Sequence, residues 1–199
     1  MEIRRRLILD SVPSYLRLPP EYEKISYVTA DGNQSLRTEY LPAIGDEFHM
    51  KVKAPVANTL FSAGVGTYQL VLIGGFSSSG WYCKFFSSAT YTIQCNYSAN
   101  NWYDVDINQY GTLTTNGHTY SCPTESELDG TATNLWLAER RNWSQRYVGD
   151  IAEFWIKNNG NYKMYLIPCK RKSDQKVGMY DTISKTFFTS ARNDFIAGT

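Results

Sequence analysis

Glu125, Glu127 and Asp129 crowd three carboxylates into five positions. Paired carboxylates are how glycosidases cut sugar chains, one attacking the anomeric carbon while the other protonates the leaving oxygen. A sheet-borne pair needs a second glutamate a strand repeat later, and Gly130-Thr131-Ala132-Thr133 supplies none. Between Pro123 and Gly130 the acids read as a solvated loop, so no catalytic residue is assigned and the chain is not read as an enzyme. The two histidines, His49 and His118, have no cysteine or acid nearby at ligand spacing and read as surface residues rather than a metal site or a general base. Asp104 and Asp106 alternate on one strand face, and calcium would need further oxygen ligands that the adjoining sequence lacks. The expectation is no metal site and no cofactor.

Aromatic and amide side chains in predicted loops carry a different chemistry. Trp81 and Tyr82 follow a serine-rich turn, Asn101, Trp102 and Tyr103 stand together, and Asn142 and Trp143 lie beside Arg140 and Arg141. Flat aromatic faces stack on the C–H surfaces of sugars while amides hold the hydroxyls, so these seven residues form the candidate glycan-binding set. The competing account makes them plugs of a core or of a subunit interface, where Trp, Tyr and Arg are also enriched. With aromatics at 15% of the whole chain, that account weighs more.

The elements that must position these residues are short strands. Glu47 to Lys53 alternates apolar and polar side chains, as does Asp104 to Asn108, and Tyr68 to Ile73, Trp81 to Phe86 and Tyr91 to Cys95 come between Gly, Ser and Asn turns. Asn116-Gly117 makes a turn after Thr112 to Thr115, and Leu135-Trp136-Leu137 reads as a central strand. From Ile151 to Ile156, strict alternation puts Ile151, Glu153 and Trp155 on one face and Ala152, Phe154 and Ile156 on the cleanly apolar other. Asn158-Asn159-Gly160 tolerates the positive φ of a tight hairpin, with Met164 to Ile167 returning. Pro168 should end that strand or lie on a sheet edge, and Lys170-Arg171-Lys172 reads as a solvated loop beyond it. Val177 to Asp181 and Thr186 to Thr189 repeat the strand, turn, strand pattern, and Thr124 to Leu128 could form at most one helical turn. Many short strands without helical periodicity mean an all-β sandwich or barrel.

The closing series has a specific look: Gly149-Asp150-Ile151, Phe154, Ile156 and Asn158-Asn159-Gly160, then Ile167-Pro168-Cys169, Gly178-Met179-Tyr180-Asp181, Phe187-Phe188-Thr189-Ser190 and Phe195-Ile196-Ala197-Gly198. It resembles the end of the concanavalin A-like (laminin-G-type) jelly-roll domains of bacteriophage virion proteins and related proteins of gut bacteria. Leu18-Pro19-Pro20-Glu21-Tyr22 to Val28 is similar to the opening of that family, while Thr29 to Gln34 departs from its usual first turn. The resemblance implies one antiparallel jelly-roll β-sandwich of the concanavalin A-like lectin/glucanase type over 18–199, with Cys169 as a small buried apolar residue. It further implies a noncatalytic structural component of a virion, exposed on the particle surface as a capsid decoration, head-fibre or tail accessory protein. The alternative from another class is a carbohydrate-binding adhesin that attaches the particle or a cell to surface glycans.

Composition narrows the partners. A net charge of +1 over 199 residues excludes a generally basic nucleic-acid binder. The longest apolar stretch, Tyr68 to Phe76, is far short of the ~20 residues of a membrane-spanning helix, and Met1 to Asp10 makes an unconvincing secretion signal. Neither nucleic acid nor membrane is expected as a partner. Cys83, Cys95, Cys122 and Cys169 lack paired zinc spacing and read as reduced thiols, suited to assembly in a bacterial host cytoplasm before the virion is complete. The two Asn-x-Ser sequons at Asn96 and Asn142 are idle in that setting.

The N-terminal arm, 1–17, suits docking. Ile3, Leu7 and Leu9 could add as a strand to a neighbouring sheet edge while Arg4, Arg5 and Arg6 pair with acids of a partner chain, and Pro13, Pro19 and Pro20 make the segment between arm and sandwich a stiff spacer. Packing back onto its own domain is the other course open to it. The expected partners are other virion proteins of capsid, fibre or tail, a further copy of the chain in a homo-oligomer, and a host surface glycan.

Overall fold

A computed structural model describes residues 13, 17–53, 59–65, 68–76, 80–85, 91–93, 98, 100–121, 134–138 and 147–199, with backbone alone for 59, 65 and the three strands within 68–93. Every regular element among them is a strand, and every pairing is antiparallel. The larger sheet has eleven strands: β1 (Tyr22–Lys24), β2 (Tyr27–Asp31), β4 (Asp46–Lys53), β9 (Trp102–Ile107), β10 (Thr112–Thr115), β11 (His118–Ser121), β13 (Val148–Asn158), β14 (Asn161–Arg171), β15 (Val177–Asp181), β16 (Thr186–Thr189) and β17 (Ile196–Gly198). Its main path runs β11-β10-β9-β4-β13-β14-β15-β16, with β2 and β17 flanking the start of β13 and β1 flanking the end of β14. The smaller sheet, ordered β3-β12-β5-β6-β7-β8, comprises β3 (Leu36–Arg37), β5 (Thr59–Val65), β6 (Tyr68–Phe76), β7 (Gly80–Phe85), β8 (Tyr91–Ile93) and β12 (Trp136–Leu137).

Alternation decides what lies between the sheets. Phe48, Met50 and Val52 of β4 are buried, as are Val105 and Ile107 of β9. Phe61 of the smaller sheet stacks on Phe48 at 5.2 Å and meets Phe154 edge-on at 5.6 Å, which joins the two layers. The hairpin expected at Asn158-Asn159-Gly160 is present: Asn158 pairs with Asn161, and Asn159 and Gly160 take φ of 50° and 74°. Asn116 and Gly117, at 46° and 79°, turn β10 into β11 in the same way. β12 lies between β3 and β5, as a central strand should, but only Leu135 and Leu137 are buried; Trp136 faces out beneath the Arg37 guanidinium.

Three expectations are corrected. Ile151 is buried with Phe154 and Ile156, whereas Glu153 and Trp155 face out, because a β-bulge at Ala152 breaks the strict alternation. Pro168 neither ends its strand nor lies on the sheet edge: it sits inside β14 opposite Met179. Its carbonyl accepts from Ile25 N, so its N faces the same side, at the seam where β13 has stopped pairing at Leu166 and β1 begins at Cys169. No ladder donor is needed there. Lys170 and Arg171 are not a loop but the end of β14, with Lys170 near Glu23 at 3.4 Å and Arg171 bidentate to Asp174 at 3.0 and 2.6 Å. Cys169 is a free, buried thiol, which fits the role that the resemblance implies for it. The other three cysteine side chains, the arm residues Ile3, Arg4, Arg5, Arg6, Leu7 and Leu9, and Thr124 to Leu128 lie outside the described residues.

Candidate functional site

Among the described residues, the outward face of the larger sheet gathers aromatic, acidic and basic side chains. On β9, Trp102, Asp104 and Asp106 point out while Tyr103, Val105 and Ile107 point in; on β4, Glu47, His49, Lys51 and Lys53 point out. Register sets Trp102 beside Lys53, Asp104 beside Lys51 and Asp106 beside His49. The bulge at Ala152 adds both Asp150 and Glu153 to this face, which uninterrupted alternation would not allow.

At one end of the face, Trp102 is 37% exposed and meets Tyr27 edge to face, with ring centroids 5.5 Å apart. Tyr27 packs on bare backbone: a Cβ at Gly198 would lie 2.1 Å from its Cε2. Val148 and Ile196 are exposed at this same end, whereas the other exposed large apolar side chains among the described residues, Leu41, Ile44, Tyr110 and Ile183, belong to turns at the opposite end. Asn101, the residue before Trp102, is exposed as well.

Further along, His49 stacks on Trp155 at 5.0 Å and 9° and places its Nδ1 2.8 Å from Asp106 Oδ1. Lys157 Nζ lies 4.7 Å from the Trp155 ring and 4.4 Å from that of Tyr162, and Tyr165 donates to Glu153. These groups satisfy one another across four strands, so this cluster is a surface ladder that reinforces the sheet. His49 points outward but its side chain is only 13% exposed, and it has an acid partner that local spacing hid. Asp106 is engaged by His49, and among the described residues no group of three or more His, Cys, Asp or Glu could hold a metal ion.

Of the seven sequence candidates, the side chains of Asn101, Trp102 and Tyr103 are among the described residues. Tyr103 is corrected outright: it is buried, its hydroxyl accepts from Ser98 N at 2.8 Å and donates to Ser98 O at 3.1 Å, and it pins a loop rather than offering a platform. Adjacent residues of one strand face opposite ways, so Trp102 and Tyr103 could never share a site. Trp81 and Tyr82 lie on β7 of the smaller sheet, away from the strand that carries Trp102, and their side chains are outside the described residues. Asn142 and Trp143, like Glu125, Glu127 and Asp129, also fall outside them. Asn101 and Trp102 remain, joined by Tyr27, Lys53, Asp150 and Ile196, which sequence spacing could not connect.

The sequence matches no protein-family profile and no curated protein. The architecture does match solved structures. The native heptameric SAP-like pentraxin of Limulus polyphemus superposes with a TM-score of 0.58 at 12% identity, covering 92% of this chain and 97% of that one. A candidate carbohydrate-binding protein of Bacteroides ovatus gives 0.57 at 11% identity, covering 88% of this chain and 61% of that longer one. At such identities the likeness defines the fold: an antiparallel jelly-roll β-sandwich of the concanavalin A-like type.

Proposed function

We propose that this chain is a noncatalytic carbohydrate-binding domain, with the Trp102 end of the larger sheet as its glycan site. The observation that carries the reading is the exposed indole of Trp102, supported by Tyr27 and flanked by Asn101, on a face with alternating acids and lysines. An indole held in water stands ready to cover the C–H face of a sugar. The fold likeness supports the reading, since one structure that this chain resembles is described as a candidate carbohydrate-binding protein. The test is retention on a glycan array and in affinity gels, comparing the wild-type chain with Trp102→Ala. Loss of retention in the variant supports the site; equal retention, or none by the wild type on any glycan, overturns it.

A second reading concerns where the domain works. The closing series, which folds into β13 to β17, resembles that of phage virion proteins, and this favours a place on the particle surface as a capsid decoration, head fibre or tail accessory. There the arm 1–17 anchors the domain to a partner chain, or to further copies of itself, and the glycan face serves host attachment. Removing 1–17 then abolishes incorporation into particles; undiminished incorporation would sink this placement and leave glycan binding untouched.

A further inference from the structure

Two adjoining grooves lie where the edges of the two sheets approach each other, between β16, which ends the main path of the larger sheet, and the segment that follows β3 as far as Leu41. Glu39 and Phe188 line both grooves. Arg37 belongs to one, of about 570 Å³, and Lys163 to the other, of about 390 Å³, so a carboxylate and an aromatic ring stand in the middle with a cation to either side. Both volumes fall within the roughly 300–1,000 Å³ of small-molecule sites. Hydrogen bonds hold both walls in place. Thr38 N and Oγ1 donate to Leu135 O at 2.9 and 3.0 Å, Asn134 Nδ2 donates to Thr38 O at 2.9 Å, and Leu135 N donates to Tyr40 O at 2.9 Å. Opposite, the Asp181 carboxylate accepts from Tyr165 N, Ile183 N, Ser184 N and Ser184 Oγ, which fixes the turn between β15 and β16. Asp181 is buried, as is Asp46, which interacts electrostatically with Lys163 and accepts from Tyr40, Ala43 N and Asn158. The exposed charges along the groove are therefore those of Arg37, Glu39 and Lys163.

We infer that this groove is a second binding site, separate from the Trp102 end, and that its ligand is a small zwitterion of net negative charge: one ammonium and two carboxylates, as in an acidic amino acid. The ammonium sits on the Glu39 carboxylate against the Phe188 ring, which together attract a cation by charge and by the ring quadrupole. One carboxylate of the ligand reaches Lys163 and the other reaches Arg37, whose planar guanidinium suits a carboxylate. Two cations against one carboxylate leave the groove one positive charge over, which a ligand of charge −1 complements. A simple dianion would set its charge against Glu39, and a neutral sugar would complement none of the three charges. The rigid walls mean that little ordering is needed on binding, so a ligand this small can still be held.

The experiment is calorimetric titration of the full chain with L- and D-glutamate, with glutamine, glutarate and glucose as comparators that lack one carboxylate, the ammonium, or all charge. Glutamate of one hand is expected to bind, with glutamine and glutarate each about tenfold weaker, the equivalent of ~1.4 kcal/mol, and glucose undetectable. Glu39→Gln, Arg37→Met and Lys163→Met should each weaken glutamate about tenfold, and one of the two cation variants should also erase its advantage over glutamine. All three residues are exposed, and circular dichroism of each variant checks that the sandwich is intact. Equal affinity for glutamate and glutarate, a preference for glucose, unchanged binding in the three variants, or no binding of either glutamate overturns the inference. None of these results bears on the glycan site at Trp102, which stands or falls on its own test.

Discussion

The rings of Trp102 and Tyr27 meet edge to face, with centroids 5.5 Å apart, and Tyr27 in turn lies against the backbone of Gly198. An exposed indole at the start of β9 is thereby tied to the last strand of the chain, and the proposed glycan site depends on Tyr27 near one end of the sequence and Gly198 near the other.

Gly198→Ala should therefore disturb the site without touching it directly. The new methyl would stand 2.1 Å from Tyr27 Cε2, a distance that forces the ring to move. Nuclear magnetic resonance should show the Trp102 indole N–H shifting, and glycan retention should fall. An unmoved indole signal in a folded variant would show that Tyr27 does not hold Trp102.

The bulge at Ala152 makes a prediction opposite to simple alternation. Ile151→Ala should cost about 2–5 kcal/mol in urea unfolding, as for a core aliphatic, because Ile151 is fully buried. Ala substitution of the outward Trp155 leaves the core intact and should cost less. Comparable losses at 151 and 155 would mean that no bulge exists.

Burial pushes the carboxyl of Asp46 above its ordinary value, although Ala43 N, Asn158 and Tyr40 all donate to it and partly offset that rise. With the folded value raised, the stabilising contribution is fully present below the unfolded value of about 3.9 and is lost as pH rises through the folded one. Asp46→Asn should accordingly flatten the pH dependence of the unfolding midpoint across that acidic window. Parallel curves for wild type and variant would contradict the raised value.

Burial also pushes the Cys169 thiol up to about 12, so almost no thiolate exists at neutral pH. A thiol reagent should label Cys169 only on unfolding, read by mass spectrometry of the Cys169 peptide. Rapid labelling of the native protein would place that sulfur at the surface.

Much of this architecture is written locally. Inward and outward alternation in β4 and β9, the Asn-Gly turns of the hairpins and the absence of any helical period specify short antiparallel strands, because side-chain direction and positive φ are properties of a few neighbouring residues. Local pattern even separates Trp102 from Tyr103, since a period of two sends them to opposite faces. The partnership of His49 with Asp106, the contact of Trp102 with Tyr27, the seam that accommodates Pro168 and the bulge that turns Ile151 inward were settled only in three dimensions. Each depends on which strand lies beside which and in what register, and register is fixed when both sheets bury their apolar faces together. The residues able to form a site were thus determined by sequence, and their assembly into one surface by tertiary packing.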